Sequence, residues 1–498
     1  MRLVAEPIDI GTKRPVVLLN GADAETLGVN PLDRVKLRWD DTTDVGIVKV
    51  TDELVDAGRL GVSHGLRKRH GEVAVAPAPQ PESVSAIRRK LDDAELDGEE
   101  LRTIVDDIHH DRLSDMELSA YVCGSYTNEL SLSETTTLTQ AMADVGERLH
   151  WDAPVVADKH SIGGVAGNRV TPILVSIAVA AGLPVPKTSS RAVTSPAGTA
   201  DTMAVFCPVE FDRDAIDRIV TEAGGCLVWG GAVDLSPVDD KVIRAQTPLS
   251  LDPHGQLIAS VLSKKVSAGT SHLVIDLPYG EGAKVTSLDE ARELAEDLTH
   301  VADGLDISVE CAITRGSRPV GTGIGPVLEA RDVLAVLEGD GPEDLRRKSV
   351  RLADLLLEMT GPDAFDGAPP DAETLLDDGD AAAAFRDIVA AQGGDRSVTV
   401  DDFHPGDRTH TVTAADSGVV DTIANDRVSR LARRAGAPSD PGAGLHIHRH
   451  VGDEVSAGDR LYTIHAERQS TLDEAIDYAD EHTVVRVSDP NEALVERV

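Results

Sequence analysis

Two stretches of this chain combine glycine, hydroxyls and a cation within a dozen residues. The first is Asp158-Lys-His-Ser-Ile-Gly-Gly-Val-Ala-Gly-Asn168; the second is Pro186-Lys-Thr-Ser-Ser-Arg-Ala-Val-Thr-Ser-Pro-Ala-Gly-Thr199. Glycine lets backbone N–H groups approach an anion closely, serine and threonine add donors, and lysine or arginine balances the charge. Such residues make a phosphate cradle, and two of them predict a site for more than one phosphate, or for a phosphate beside a sugar. Serine and threonine in these positions also form ordinary turns; the joint presence of glycine, hydroxyl and cation favours the cradle.

The lysines sharpen this reading. Of the 48 basic residues only 12 are lysine, and six of those lie between Lys159 and Lys284, beside glycines and serines. The rest of the charge is acidic: 86 Asp and Glu give a net charge of −38, spread along all 498 residues. An acidic surface of this kind repels nucleic acid and anionic membranes and suits a cytoplasm of very high salt. Cys123, Cys207, Cys226 and Cys311 are too far apart for a zinc knuckle or a disulfide framework and read as reduced thiols. No signal peptide and no membrane-length apolar run is legible.

These motifs need elements to hold them. Residues 1–82 read as an N-terminal β-barrel-like domain, with alternating runs such as Val35–Trp39 and Ile47–Val50. Residues 83–152 read as a helical domain, carrying capping boxes at Asp97/Glu100, Ser114/Glu117 and Ser131/Glu134. Residues 153–405 read as the phosphate- and nucleotide-binding α/β domain with a mostly parallel sheet: Pro154–Ala157 leads into the first loop, a helix over Ile173–Ala180 follows, and Cys226–Trp229 and His272–Ile275 are further strands. Ligands of such sheets sit at the carboxyl ends of the strands. Residues 361–395, rich in Asp, Ala, Gly and Pro, read as surface loop. Residues 406–498 read as a C-terminal α+β barrel-like domain whose Gly418–Val420 and Val451–Ile464 runs are similar to biotinyl- or lipoyl-type strands; no lysine follows Lys348, which excludes a carrier role. The fold class is thus α/β with small β domains at either end.

The ordered set Asp158-Lys159-His160-Ser161, Gly163-Gly164, Ser190-Arg191-Ala192-Val193-Thr194-Ser195 and Ser260-Val-Leu-Ser-Lys264-Lys265 resembles the thymidine and pyrimidine-nucleoside phosphorylases. Within them it is most similar to the archaeal AMP phosphorylase branch, which the extra N-terminal β domain also fits. The resemblance implies phosphorolysis of AMP, and of other nucleoside 5′-monophosphates such as CMP and UMP, to a free base and ribose 1,5-bisphosphate. It implies no cofactor, with inorganic phosphate as co-substrate, and a homodimer or larger homo-oligomer. Residue by residue, it implies that Lys159, Ser161, Ser189 and Thr199 hold the attacking phosphate. Gly164, Ser190, Arg191, Ala192, Val193, Thr194, Ser195, Thr199, Ser260, Lys264 and Lys284 would contact the nucleotide, Arg191 serving as partner for a second phosphate. Asp252 would donate a proton to the base, with His160 as the rival acid; Asp before Pro is also a common helix start, and an acid there needs its pKa raised by burial or nearby anions. Pro196 departs from the family pattern and removes an N–H donor. Ala245 stands where pyrimidine-specific relatives place an arginine, which leaves room for a purine.

Two features look sharper than they are. His446, His448 and His450 alternate and could share a strand face for a metal, but a surface cluster is the simpler reading and no metal is expected. Gly321-Thr-Gly-Ile-Gly325 lacks the spacing of a dinucleotide fingerprint. Two other functions fit parts of the pattern: a thymidine or pyrimidine-nucleoside phosphorylase, and a nucleotide-binding scaffold without activity. From the charge alone, dialysis from concentrated KCl into dilute buffer is expected to abolish the far-ultraviolet circular dichroism of the folded chain; full structure and activity in dilute buffer would sink the halophilic reading.

Overall fold

The computed structural model describes residues 1–12, 15–39, 42–63, 66, 71–192 and 195–488. The chain forms two compact units, Met1–Gly124 and Ser125–Val498.

In the first unit six strands close a barrel: β1 (Arg2–Pro7), β2 (Val16–Leu19), β3 (Arg34–Arg38), β4 (Thr43–Val50), β5 (Arg59–Val62) and β6 (Gly71–Pro77). Their order is β1-β5-β2-β4-β3-β6, with β1/β5 and β2/β4 parallel and the other pairs antiparallel. Closure removes the exposed sheet edges. Alternation fills the interior: Val35 and Leu37 point in while Lys36 and Arg38 face solvent, and Leu3, Leu19, Val48, Leu60 and Val73 complete the core. Beyond the prolines, helix Ser83–Leu91 packs beside Gly98–His109, whose predicted capping box at Asp97 and Glu100 is formed.

The second unit carries the predicted parallel strands. β7 (Ala157–Ser161), β10 (His272–Tyr279) and β11 (Ser308–Arg315) form one parallel sheet in the order β11-β10-β7, and β8 (Val185–Ser189) pairs in parallel with β9 (Gly225–Trp229). The Ala157 N–H donates to the Pro184 carbonyl at 3.0 Å, joining the two where β7 and β8 begin. Helices Val170–Ala180, Glu343–Ala364 and Asp380–Ala391 pack together around a core of Ile173, Leu174, Ile177, Leu356, Phe385 and Ile388.

Two expectations need correction. Asp158–Ser161 and Pro186–Ser189 are not loop: both lie within strands, and the turn after β7 starts only at Ile162-Gly163. Residues 361–395 are largely helical, with Ala372–Asp377 and Asp380–Ala391 following the end of Glu343–Ala364. Composition misleads there, because alanine is the strongest helix former and Phe385, Ile388 and Val389 recur at helical spacing to bury one face. Asp371 caps the first of these helices by accepting from the Thr374 N–H.

Toward the C-terminus, β12 (Gly323–Ile324), β13 (Arg408–Thr413), β15 (Gly444–Ile447) and β17 (Arg460–Ala466) form a sheet in the order β12-β15-β17-β13. β14 (Gly418–Ile423), β16 (Glu454–Val455) and β18 (Val485–Ser488) form another, in the order β16-β14-β18. The Gly321–Gly325 segment thus serves as an edge strand for a downstream sheet. Its backbone approaches Ala443 so closely that a Cβ on Gly325, at φ 115°, would sit 2.3 Å from the Ala443 carbonyl oxygen.

Candidate active site

The carboxyl ends of the parallel strands bring the motifs together. Along β7 the side chains alternate, and each face has its own charge network. On one face Lys159 is fully buried, and among the described residues its Nζ donates only to the Thr171 hydroxyl, at 3.3 Å. It makes no ion pair with a carboxylate among the described residues. Burial, reinforced by Lys348, Arg169 and Lys265, lowers its pKa to about 8, with Asp276 opposing the shift.

Next to it, Ser161 donates to Asp276 at 3.0 Å. Asp276, wholly buried on β10, also accepts from Asn168 Nδ2 at 3.0 Å and Thr314 Oγ1 at 2.6 Å, and pairs with Lys348 Nζ at 2.9 Å. Burial opposes its ionisation, but Lys348, Lys159 and these donors hold its pKa at about 2.

On the other face of β7, Asp158 is enclosed by Lys265 at 2.7 Å and Lys187 at 3.5 Å. These cations outweigh burial and keep it ionised. Burial drops the Lys187 pKa to about 7 against the pull of Asp158. His160 lies on the same face. Burial and the charges of Lys265, Lys187, Lys264 and Lys159 push its pKa well below the usual range, so the ring is neutral at physiological pH and unsuited to the acid role.

The turn after β7 depends on glycine. Gly163, Gly164 and Gly167 have φ of 90°, 85° and 70°. A Cβ on Gly164 would lie 2.4 Å from the Lys284 backbone nitrogen, so this glycine allows the 158–168 and 280–284 segments to meet. Lys284 in turn pairs with Asp252 at 2.6 Å. Asp252 does not cap the helix His254–Ser267, whose first turn starts at Pro253 without a side-chain cap. Its carboxylate is 43% exposed, so the enclosure expected of a proton donor is absent in this arrangement.

The second motif is folded around Asp201. Its carboxylate accepts from the Ala192 N–H at 2.7 Å, the Gly198 N–H at 2.9 Å and Arg191 at 3.2 Å. Arg191 also binds Glu210 at 2.9 Å and lies 5.1 Å from the centre of the Trp229 ring. Its guanidinium is therefore committed to carboxylates, contrary to the expectation that it awaits a second phosphate. Ser195 Oγ donates to the Ala197 carbonyl, Ser190 is exposed, and Ser189 Oγ is buried without a partner in the described structure. Thr199 Oγ1 accepts from Arg169 at 3.1 Å; Arg169 also pairs with buried Glu329. Val193 and Thr194 lie outside the described residues. Ser260 and Lys264 share a helix face as expected, and Lys264 pairs with buried Asp239.

Asp276, Lys348, Arg169 and Asp201 are absent from the sequence-derived site. Asp276 and Lys348 lie far from the motifs in sequence, although Asp276 stands out in a strand of mostly apolar residues; Arg169 and Asp201 closely follow the two motifs and look like ordinary charges at a helix start. Among the histidines, His446 and His448 rings meet edge to face at 4.8 Å and His448 bonds to Thr463. No group of three metal-ligating side chains occurs among the described residues, and no helix among them is long and apolar enough to cross a membrane.

This architecture defines a class, the glycosyl transferases with a helical-bundle and an α/β domain. Residues 84–146 match the helical bundle domain of the glycosyl transferase family, and residues 153–382 match its a/b domain. Residues 419–486 match the pyrimidine nucleoside phosphorylase C-terminal domain. The fold is similar to that of anthranilate phosphoribosyltransferase from Thermus thermophilus, with a TM-score of 0.52 at 16% identity over 62% of this chain and 99% of that one. Within the class, the chain is 67% identical to the AMP phosphorylase of Natronomonas pharaonis over 100% of both chains. It is 44% identical to AMP phosphorylase 1 of Archaeoglobus fulgidus over 95% of each, and 43% identical to the AMP phosphorylase of Thermococcus kodakarensis over 96% of each. The chain belongs to the AMP phosphorylase family.

Lys159 supplies a test of the site. Phosphate attracts the protonated ammonium, so apparent phosphate affinity is expected to fall as pH rises through about 8. Lys159→Ala is expected to weaken phosphate and flatten that dependence. A wild-type phosphate KM constant from pH 7 to 9, or an unaltered profile in the variant, removes Lys159 from the site.

Proposed function

We propose that the protein catalyses phosphorolysis of AMP, releasing the base and ribose 1,5-bisphosphate, with CMP and UMP as further substrates. The observation that carries this reading is the buried Lys159 ammonium, without a carboxylate partner among the described residues, on the same face of β7 as Ser161, together with the unpartnered Ser189 hydroxyl at the end of the parallel strand β8. A desolvated cation among hydroxyl donors is poised for an anion. Family membership supplies the identity of the reaction.

In this reading one phosphate oxygen attacks the anomeric carbon while the glycosidic C–N bond breaks and its electron pair leaves with the base. Lys159, Ser161, Ser189 and Thr199 position the attacking phosphate, which sets the nucleophile and lowers the entropic cost of the encounter. The turn glycines and the 189–199 segment admit the nucleotide, with Ser260, Lys264 and Lys284 contacting it. The negative phosphate beside the sugar stabilises the cationic transition state.

Asp252 is the better donor to the departing base, because burial, reinforced by the surrounding lysines, holds His160 neutral. Its pairing with Lys284 then belongs to the resting arrangement and is exchanged when a nucleotide claims the lysine. Free thiols at all four cysteines fit action in the cytoplasm; a homodimer or larger homo-oligomer belongs to the same proposal.

Phosphate-dependent base release at high salt, compared for AMP, CMP, UMP, adenosine and thymidine, is expected to favour AMP. Faster turnover of thymidine assigns a pyrimidine-nucleoside phosphorylase, and AMP binding without base release assigns a scaffold. Asp252→Asn is expected to retain AMP binding and lose about 10²–10⁴-fold in kcat; turnover within a few fold of wild type removes Asp252 from the acid role.

A further inference from the structure

A second cationic site lies where β11 meets the helix Glu343–Ala364. A cavity of about 690 Å³ there is lined by Arg315 and Arg318 from the end of β11 and the segment after it, and by Arg347, Lys348 and Arg351 from the helix. Its lining holds one carboxylate, Asp344, whose oxygens already accept from the Gly321 and Leu345 N–H groups. None of the four guanidinium groups makes an ion pair or hydrogen bond with any described residue.

This arrangement is costly. Arg347 and Arg351 are i and i+4 on one helix face, where like charges repel. In a chain with 86 acidic residues against 48 basic ones, nearby carboxylates are the usual neighbours. Arg346, one residue away, takes two of them, Glu373 at 2.8 Å and Asp377 at 2.6 Å. The cavity excludes what the rest of the surface offers in excess.

We propose that this cavity binds a small organic or inorganic polyphosphate, a ligand with at least two phosphoryl groups. Four unpaired guanidiniums exceed what a single phosphate dianion balances, and arginine's planar fork is matched to phosphoryl oxygens. The volume lies in the range of small-molecule pockets. The site also touches the proposed catalytic centre: Lys348 lines the cavity and pairs with Asp276, which accepts from Ser161. A polyanion that draws on Lys348 weakens its hold on Asp276 and so alters phosphate binding at Ser161 and Lys159. The inference rests on the proposed phosphate site only for this coupling; binding itself does not.

Titration calorimetry of the full chain with inorganic pyrophosphate tests it, at the lowest KCl concentration that keeps the chain folded. Wild type and Lys159→Ala are expected to bind it alike, whereas Arg347→Ala/Arg351→Ala, at exposed positions, loses at least tenfold in affinity while its basal turnover stays unchanged. Inorganic phosphate at equal concentration is expected not to compete at this site. Loss of pyrophosphate binding in Lys159→Ala places the ligand in the catalytic centre and overturns the proposal, as does unchanged binding in the double variant. A lowered oligomeric mass in the double variant, with no pyrophosphate bound by wild type, assigns the arginines to a subunit contact and equally overturns it.

Discussion

A carboxylate placed in the interior of a sheet must be surrounded by donors, and Asp276 shows what that demand organises. Its two oxygens gather Ser161, Asn168, Thr314 and Lys348, drawn from two neighbouring strands, the turn after β7 and a distant helix. Removing one partner of a buried pair costs about 3–5 kcal/mol, because the other charge is left uncompensated. The carboxylate therefore fixes the register of β7 against β10 at the point where phosphate chemistry is proposed. On the opposite face Asp158 ties β7 to Lys187 of β8 and to Lys265 of the helix His254–Ser267. Lysines buried by two carboxylates, with Lys159 left over, give the strand ends a positive potential inside an acidic protein.

The local features were legible in the sequence because their partners are local. Asp97 with Glu100 and Ser131 with Glu134 form their capping boxes, and the strand of Val35 and Leu37 buries the expected face. Lys159 and Ser161 could be singled out because they stand in a short run with glycines. What gives them their properties could not, since Asp276, Lys348 and Lys265 are brought near only by strand pairing and helix packing. Arg191 illustrates the converse: its motif was legible, but Asp201, Glu210 and Trp229 absorb its charge. The 361–395 segment was misread because its Asp, Gly and Pro content outweighed the helical spacing of its few large apolar residues.

Surface and interior follow different electrostatic rules in this chain. Exposed carboxylates face solvent and ions, and isolated pairs there contribute little. Inside, desolvation strengthens each charge, and burial brings the pKa values of Lys159 and Lys187 to about 8 and 7. A proton there is more easily lost than on a surface lysine, so the charge of the strand ends is itself responsive to what binds.

The pairing of Gly323–Ile324 with His446 and Leu445 carries a temporal consequence. Among the described residues the short β12 has only β15 as its strand partner, and β15 is encoded far downstream. During synthesis the α/β part emerges with an unfinished seam, and its last backbone hydrogen bonds form only after the C-terminal strands have left the ribosome. The C-terminal sheet is thus less an appendage than the closing stitch of the part that precedes it.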